Sequence, residues 1–68
     1  MITLTVNGKP RELETVTPLV QFLNDRGIDS QFVAVAYNGT VLRREEFASI
    51  TLDQGDVVEI VRPVGGGA

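Results

Sequence analysis

Cysteine and histidine are both absent from the 68 residues. Without cysteine there is no disulfide, no thiolate ligand and no dithiol redox motif. Without histidine the usual general base, proton shuttle and commonest metal ligand are missing as well. Cations are scarce: six Lys and Arg stand against nine Asp and Glu, a net charge of −3. Nucleic acid is therefore not expected as a partner, because phosphate binding calls for a basic stripe. No apolar run approaches the roughly 20 residues that span a bilayer, so no membrane contact is expected either. The opening residues, Met1 to Gly8, lack a charged leader and a cleavage pattern, and a cytoplasmic protein is the expectation. A chain this short allows one domain near the lower limit for a self-supporting core, and small scaffolds often lean on disulfides or metals. Here the fold must rest on apolar packing, which a 43% hydrophobic composition makes feasible. Glu45, Glu46, Asp53 and Asp56 have no metal-loop spacing, so no metal site is expected, and the two aspartates read as turn residues.

What is present is patterned. Ile2 to Val6 alternates apolar and polar residues, the period of a half-buried strand. Asn7-Gly8 follows as a hairpin turn, because both positions tolerate positive φ. A second strand runs from Lys9 to Leu13, with Pro10 marking it as an edge. Thr17 and Pro18 have the chemistry of a helix start, Thr17 as cap and Pro18 as first residue. Leu19, Val20, Phe22 and Leu23 give that helix an apolar face, and Gly27 ends it with Ile28 placed against the last turn. The spacing predicts a helix over Pro18 to Arg26. Phe32 to Tyr37 reads as a central strand, Asn38-Gly39 as a second hairpin turn, and Thr40 to Leu42 as a short strand. Arg43 to Ala48 reads as a helical turn with Phe47 inward. Asp53 to Asp56 forms a tight turn after Leu52, and Val57 to Arg62 is the last strand.

A hairpin, a helix and then a strand returning beside the first is the layout of a β-grasp fold. The expected class is α+β, a mixed sheet of four to five strands with one main helix across one face. The expected core comprises Leu4, Val6, Leu19, Phe22, Leu23, Val33, Val35, Leu42, Phe47, Leu52, Val58 and Ile60. Residues 1–64 would form this domain, and residues 65–68 a flexible tail.

That tail, Gly65-Gly66-Gly67-Ala68, directly follows the last strand. Glycines without Cβ atoms can enter a channel that side chains would block. No other group is a credible nucleophile, and no catalytic residue is expected. A terminal carboxylate is ionised at neutral pH and can attack an activated phosphate, giving an acyl-adenylate open to sulfur transfer. The competing explanation is an ordinary glycine-rich end with no role.

The run Asn38-Gly39-Thr40-Val41-Leu42-Arg43-Arg44-Glu45-Glu46-Phe47, then Leu52-Asp53-Gln54-Gly55-Asp56, resembles the ThiS family pattern. That pattern is Asn-Gly, two apolar residues, Pro-Arg, two polar residues, an aromatic, then Leu-x-x-Gly-Asp. Val57 to Gly67 is similar to the family's closing strand and tail, so the resemblance covers essentially the whole chain. It implies a sulfur carrier for the thiazole of thiamine, bearing sulfur as a C-terminal thiocarboxylate. It also implies three partners: a ThiF/MoeB-like activating enzyme that spends ATP, a cysteine desulfurase as sulfur donor, and thiazole synthase as recipient. No cofactor would be bound by the carrier itself. Arg43 stands where the family often has proline. Ala68 follows the glycine at which members end, so the implied attachment point is Gly67 after loss of Ala68.

A partner has candidate docking residues. If Val33 and Val35 face the helix, Ala34 and Ala36 lie on the opposite face and permit close approach; a half-solvated face explains them equally well. Val61 and Val64 extend that patch or serve ordinary strand packing. Arg44 can pair with a partner's acid or simply be solvated. Other classes stay open: a carrier for another pathway, akin to the small subunit of molybdopterin synthase, or a non-covalent β-grasp interaction module. An enzyme fits least, with neither a nucleophile–base pair nor a metal site.

Overall fold

A computed structural model describes residues 1–62; residues 63–68, which hold the expected tail, lie outside the described residues. Strand β1 (Ile2–Val6) turns through Asn7 and Gly8, both at positive φ, into antiparallel β2 (Lys9–Leu13). The chain then makes a two-residue strand β3 (Thr17–Pro18) and the helix α1 (Leu19–Asp25). A 3-10 turn (Ser30–Phe32) leads to β4 (Ala34–Tyr37) and, through Asn38-Gly39, to β5 (Thr40–Val41). A second 3-10 helix (Arg44–Ser49), β6 (Thr51–Leu52) and β7 (Val57–Val61) complete the described chain.

Five strands form one mixed sheet in the order β2-β1-β7-β4-β5, with β1 and β7 parallel and the other pairs antiparallel. This is the expected β-grasp arrangement. Pro10 lies on the edge strand β2, where its missing N–H costs no ladder bond. The core is Leu4, Val6, Leu19, Phe22, Leu23, Val33, Val35, Phe47, Leu52 and Val58, all buried. Leu42 and Ile60, expected there too, are half-buried and pack against it. Fully burying a Leu or Phe side chain contributes about 1.5–3 kcal/mol, which is what holds a chain without staples together.

Three local expectations are corrected. The helix begins at Leu19 rather than Pro18, and Thr17 does not cap it. Thr17 and Pro18 are extended and pair with Leu52 and Thr51, a ribbon the sequence did not announce. The Thr17 hydroxyl donates instead to the Thr15 carbonyl at 3.0 Å. The first helical N–H, of Leu19, is satisfied by the Ile50 carbonyl at 2.9 Å, so a tertiary contact replaces the side-chain cap.

At its other end the helix behaves as expected. Gly27 has φ +72°, its N–H donates to Asn24 at 3.0 Å, and the Ile28 N–H donates to Leu23 at 2.9 Å. That pair of bonds closes the helix in a Schellman motif. The third correction concerns Phe32, which ends a 3-10 turn instead of opening β4 and is 66% exposed. The Asp29 carboxylate accepts from the Gln31 N–H at 2.8 Å, and this local bond draws residues 29–32 into a turn before a ladder can start.

Candidate functional site

The expected site begins where β7 ends. β7 is the central strand, and Arg62 is the last described residue beyond it. Gly65, Gly66, Gly67 and Ala68, with Val64 beside them, lie outside the described residues. What the structure positions is their base.

Both Asn-Gly turns fasten β7, one near each end. Where β1 turns away, the Asn7 side-chain amide continues the ladder: the Ile60 N–H donates to Asn7 Oδ1 at 2.7 Å, and Asn7 Nδ2 donates to the Ile60 carbonyl at 3.2 Å. The Asn7 backbone N–H also donates to the Val58 carbonyl, at 2.9 Å. At the start of the strand the Val57 N–H donates to Asn38 Oδ1 at 2.8 Å, and the Asn38 N–H donates to the Val57 carbonyl at 2.7 Å. Asparagine suits both places because it tolerates left-handed backbone (φ 52° and 50°) and carries an amide that imitates a peptide group. Sequence reasoning took both residues as turn formers only. The signal for more was faint: an asparagine directly after a strand, beside a chain that has to be held.

Asp56 is a second hub that was read only as a turn residue. Its Oδ2 accepts from the Tyr37 hydroxyl at 2.8 Å and from the Asp53 N–H at 2.8 Å. Its Oδ1 accepts from Asn38 Nδ2 at 3.2 Å. The Tyr37 hydroxyl is held above its ordinary pKa, first by donating to the Asp56 carboxylate, then by burial and by the charges of Asp56 and Asp53. These bonds tie the turn before β7 to the end of β4, and so fix the strand from its first residue.

The two faces of the sheet differ. Val35, Val58 and Leu4 face the helix and are buried. The opposite face carries Ala34, Ala36, Val41, Val57, Glu59 and Val61, as the register requires: Ala34 opposes Val61, and Ala36 stands between Val41 and Glu59. Ala34 and Val61 are thus brought side by side, with Ala36 two residues along the same strand. Val41, Val57 and Val61 are 72%, 44% and 58% exposed, so among the described residues the β4, β5 and β7 part of this face is uncovered and apolar apart from Glu59, while its β1 and β2 part carries Thr3, Thr5 and Glu12. Val41 and Val57 were missed as members, although their period-2 parity marks them. Arg44 is not part of this surface: it is an exposed residue of the second 3-10 helix, which packs on α1. The Arg43 N–H donates to Glu46 Oε1 at 2.6 Å while the Glu46 N–H donates to the Arg43 carbonyl at 2.9 Å. These two bonds close the turn that opens the second 3-10 helix.

A two-layer β-grasp domain with one bare sheet face and a glycine tail after its central strand is the class of molecule so defined. The model of the ThiS family matches residues 4–67. The chain is 39% identical over 62 residues to the sulfur carrier protein ThiS of Thermus thermophilus, covering 91% of this chain and 95% of that one. It is 32% identical over 65 residues to a thiazole synthase of Paramagnetospirillum magneticum, covering 96% of this chain but 20% of that protein. The chain therefore spans about a fifth of the length of the thiazole synthases it matches. The crystal structure of the thiamine biosynthesis protein ThiS from Geobacter metallireducens superposes with a TM-score of 0.84 at 36% identity, over 97% of this chain and all of that one. The chain belongs to the ThiS family.

Proposed function

We propose that the chain is a sulfur carrier of thiamine biosynthesis, loaded at the carboxylate of Gly67 once Ala68 is absent. The observation that carries this is the family match, which runs through the three glycines and stops at Gly67. One terminal oxygen attacks the α-phosphorus of ATP on an activating partner, pyrophosphate leaves, and the carbonyl becomes an acyl-adenylate. A sulfide-level donor then attacks that carbon and AMP departs, exchanging one C–O bond for a C–S bond. If sulfur arrives as a persulfide, a second thiol reduces the resulting acyl disulfide and is itself oxidised. The chain supplies recognition and a terminus, and its partners supply the catalysis.

Thiazole synthase is the proposed recipient, because segments of two such proteins align with nearly the whole of this chain. The bare face around Ala34, Ala36 and Val61 is the proposed dock for the activating enzyme, and Val64, outside the described residues, is proposed to contact the same partner. Arg44 would engage a partner only from the helix side. Forms ending at Gly67 and at Ala68 are to be incubated with ATP, sulfide and a ThiF-like activating enzyme. Intact-mass spectra of the Gly67 form should show one oxygen replaced by sulfur. A Gly67 form that never changes mass defeats the carrier reading, and an untrimmed Ala68 form loaded equally well moves the attachment point to Ala68.

A further inference from the structure

A groove of about 420 Å³ lies on the helix-covered side of the sheet, near the C-terminal end of α1 and the end of β7. Its apolar lining is Val6 and Val33, both buried, with Ile28 and Ile60, both half-buried. Three arginines line it, and they come from three parts of the chain. Arg11 opposes Leu4 on β2, Arg26 caps α1, and Arg62 directly follows β7. Half of the six cationic side chains of an acidic protein thus line one groove. No Asp or Glu is among the described residues that line it.

Packing gives no reason for this gathering, since like charges around one site repel. Arg26 is held in place, its guanidinium 4.6 Å above the centre of the Phe22 ring. A guanidinium stacked on an aromatic face gives up less freedom when it binds a carboxylate than a free one does.

We propose that this groove binds an acidic segment of a partner protein, an extended stretch whose carboxylates flank one apolar side chain. The carboxylates take the fork-shaped donors of the arginines in pairs, and the apolar side chain covers Val6, Ile28, Val33 and Ile60. A small inorganic anion would satisfy the arginines and leave that apolar lining wet. A nucleic acid would set further phosphates against a surface that is acidic overall. The inference concerns a surface separate from the bare sheet face, and it holds whatever group the C-terminus carries.

The test is a titration of the ¹⁵N-labelled full chain with the peptide acetyl-Glu-Asp-Leu-Glu-Asp-amide, followed by amide chemical shifts. Saturable shifts are expected at Val6, Ile28, Val33 and Ile60. Arg62→Glu, outside any strand, should weaken binding about tenfold. Arg11→Glu on the exposed edge strand should do the same. Arg43→Glu, which alters net charge equally but lies away from the groove, should change affinity by less than about twofold. The proposal is overturned by an absence of saturable shifts, by shifts centred elsewhere, or by an Arg43→Glu loss equal to that of Arg62→Glu. It is also overturned if inorganic pyrophosphate or a short oligonucleotide moves the same amides with equal affinity.

Discussion

The two faces of the sheet are made by the same strands, in places by adjacent residues, yet they do opposite things. On β4, Val35 is buried under the helix while Ala34 is exposed; on β7, Val58 is buried while Val57 and Val61 are open. The covered face combines large side chains with a helix and a turn that close over it. The bare face combines small or β-branched residues, and none of the described residues packs over them. The contrast separates two fates of apolar surface: one is spent on folding, and the other stays exposed, where a partner is proposed to dock. A one-residue shift in register would exchange them, which explains why β7 is pinned by Asn7 and Asn38 as well as by its ladders.

Substitutions on the two faces should therefore separate stability from loading, and the largest effect is expected at Phe22. Truncation by Phe22→Ala empties the centre of the covered face, where Phe22 is fully buried, and should cost about 3–5 kcal/mol. A small domain has only about 5 kcal/mol to lose, so the variant should lose its cooperative thermal transition in calorimetry. A transition retained within a few degrees would break the contrast.

An intermediate effect is expected at the margin of the covered face. Tyr37→Phe removes a single bond to Asp56 and should cost about 1 kcal/mol by denaturant titration at neutral pH. The pH dependence has a definite sign. Because the folded state raises the Tyr37 pKa above 10.0, its contribution is complete below that value and is lost as pH climbs through the raised one. The difference between parent and variant should be flat from neutral pH and shrink above about pH 10; a difference that widens there would contradict the assignment.

Val61→Asp, on the bare face, should shift stability by no more than about 0.5 kcal/mol. The same change should slow sulfur loading of the Gly67 form about tenfold, since buried apolar anchors dominate interface energies. Unchanged loading would show that the bare face is not the dock.

Most of this was legible beforehand, because the elements rest on local chemistry. The Ile2 to Val6 alternation, the two Asn-Gly turns, Gly27 and the burial of Phe47 all follow from nearest neighbours and periodicity. What was not legible depends on distant partners. Thr17-Pro18 has every local mark of a helix start, and only the arrival of Thr51-Leu52 beside it makes a strand. Phe32 fits the strand pattern, but the Asp29 carboxylate reaches its turn first. At the site, the parity that placed Ala34 and Ala36 on the bare face extends to Val41 and Val57. The bonds from Asn7 to Ile60 span 53 positions, and no local pattern reports them. The arginine groove is of the same kind, its three cations coming together only through the fold.

The Asn7 amide has a consequence for association between copies. β1 pairs with β7 only as far as Val58, so β7 would otherwise present open peptide groups where the hairpin turns away. Such a notch invites a foreign strand to add on, the first step towards fibrils. With both polar groups of Ile60 already engaged by Asn7, an incoming strand has no ladder to extend there. The sheet's true margins are defended differently: β2 carries Lys9, Pro10, Arg11 and Glu12, and β5 is two residues long. One side chain thus shields an interior place, among the described residues, where this sheet could be copied.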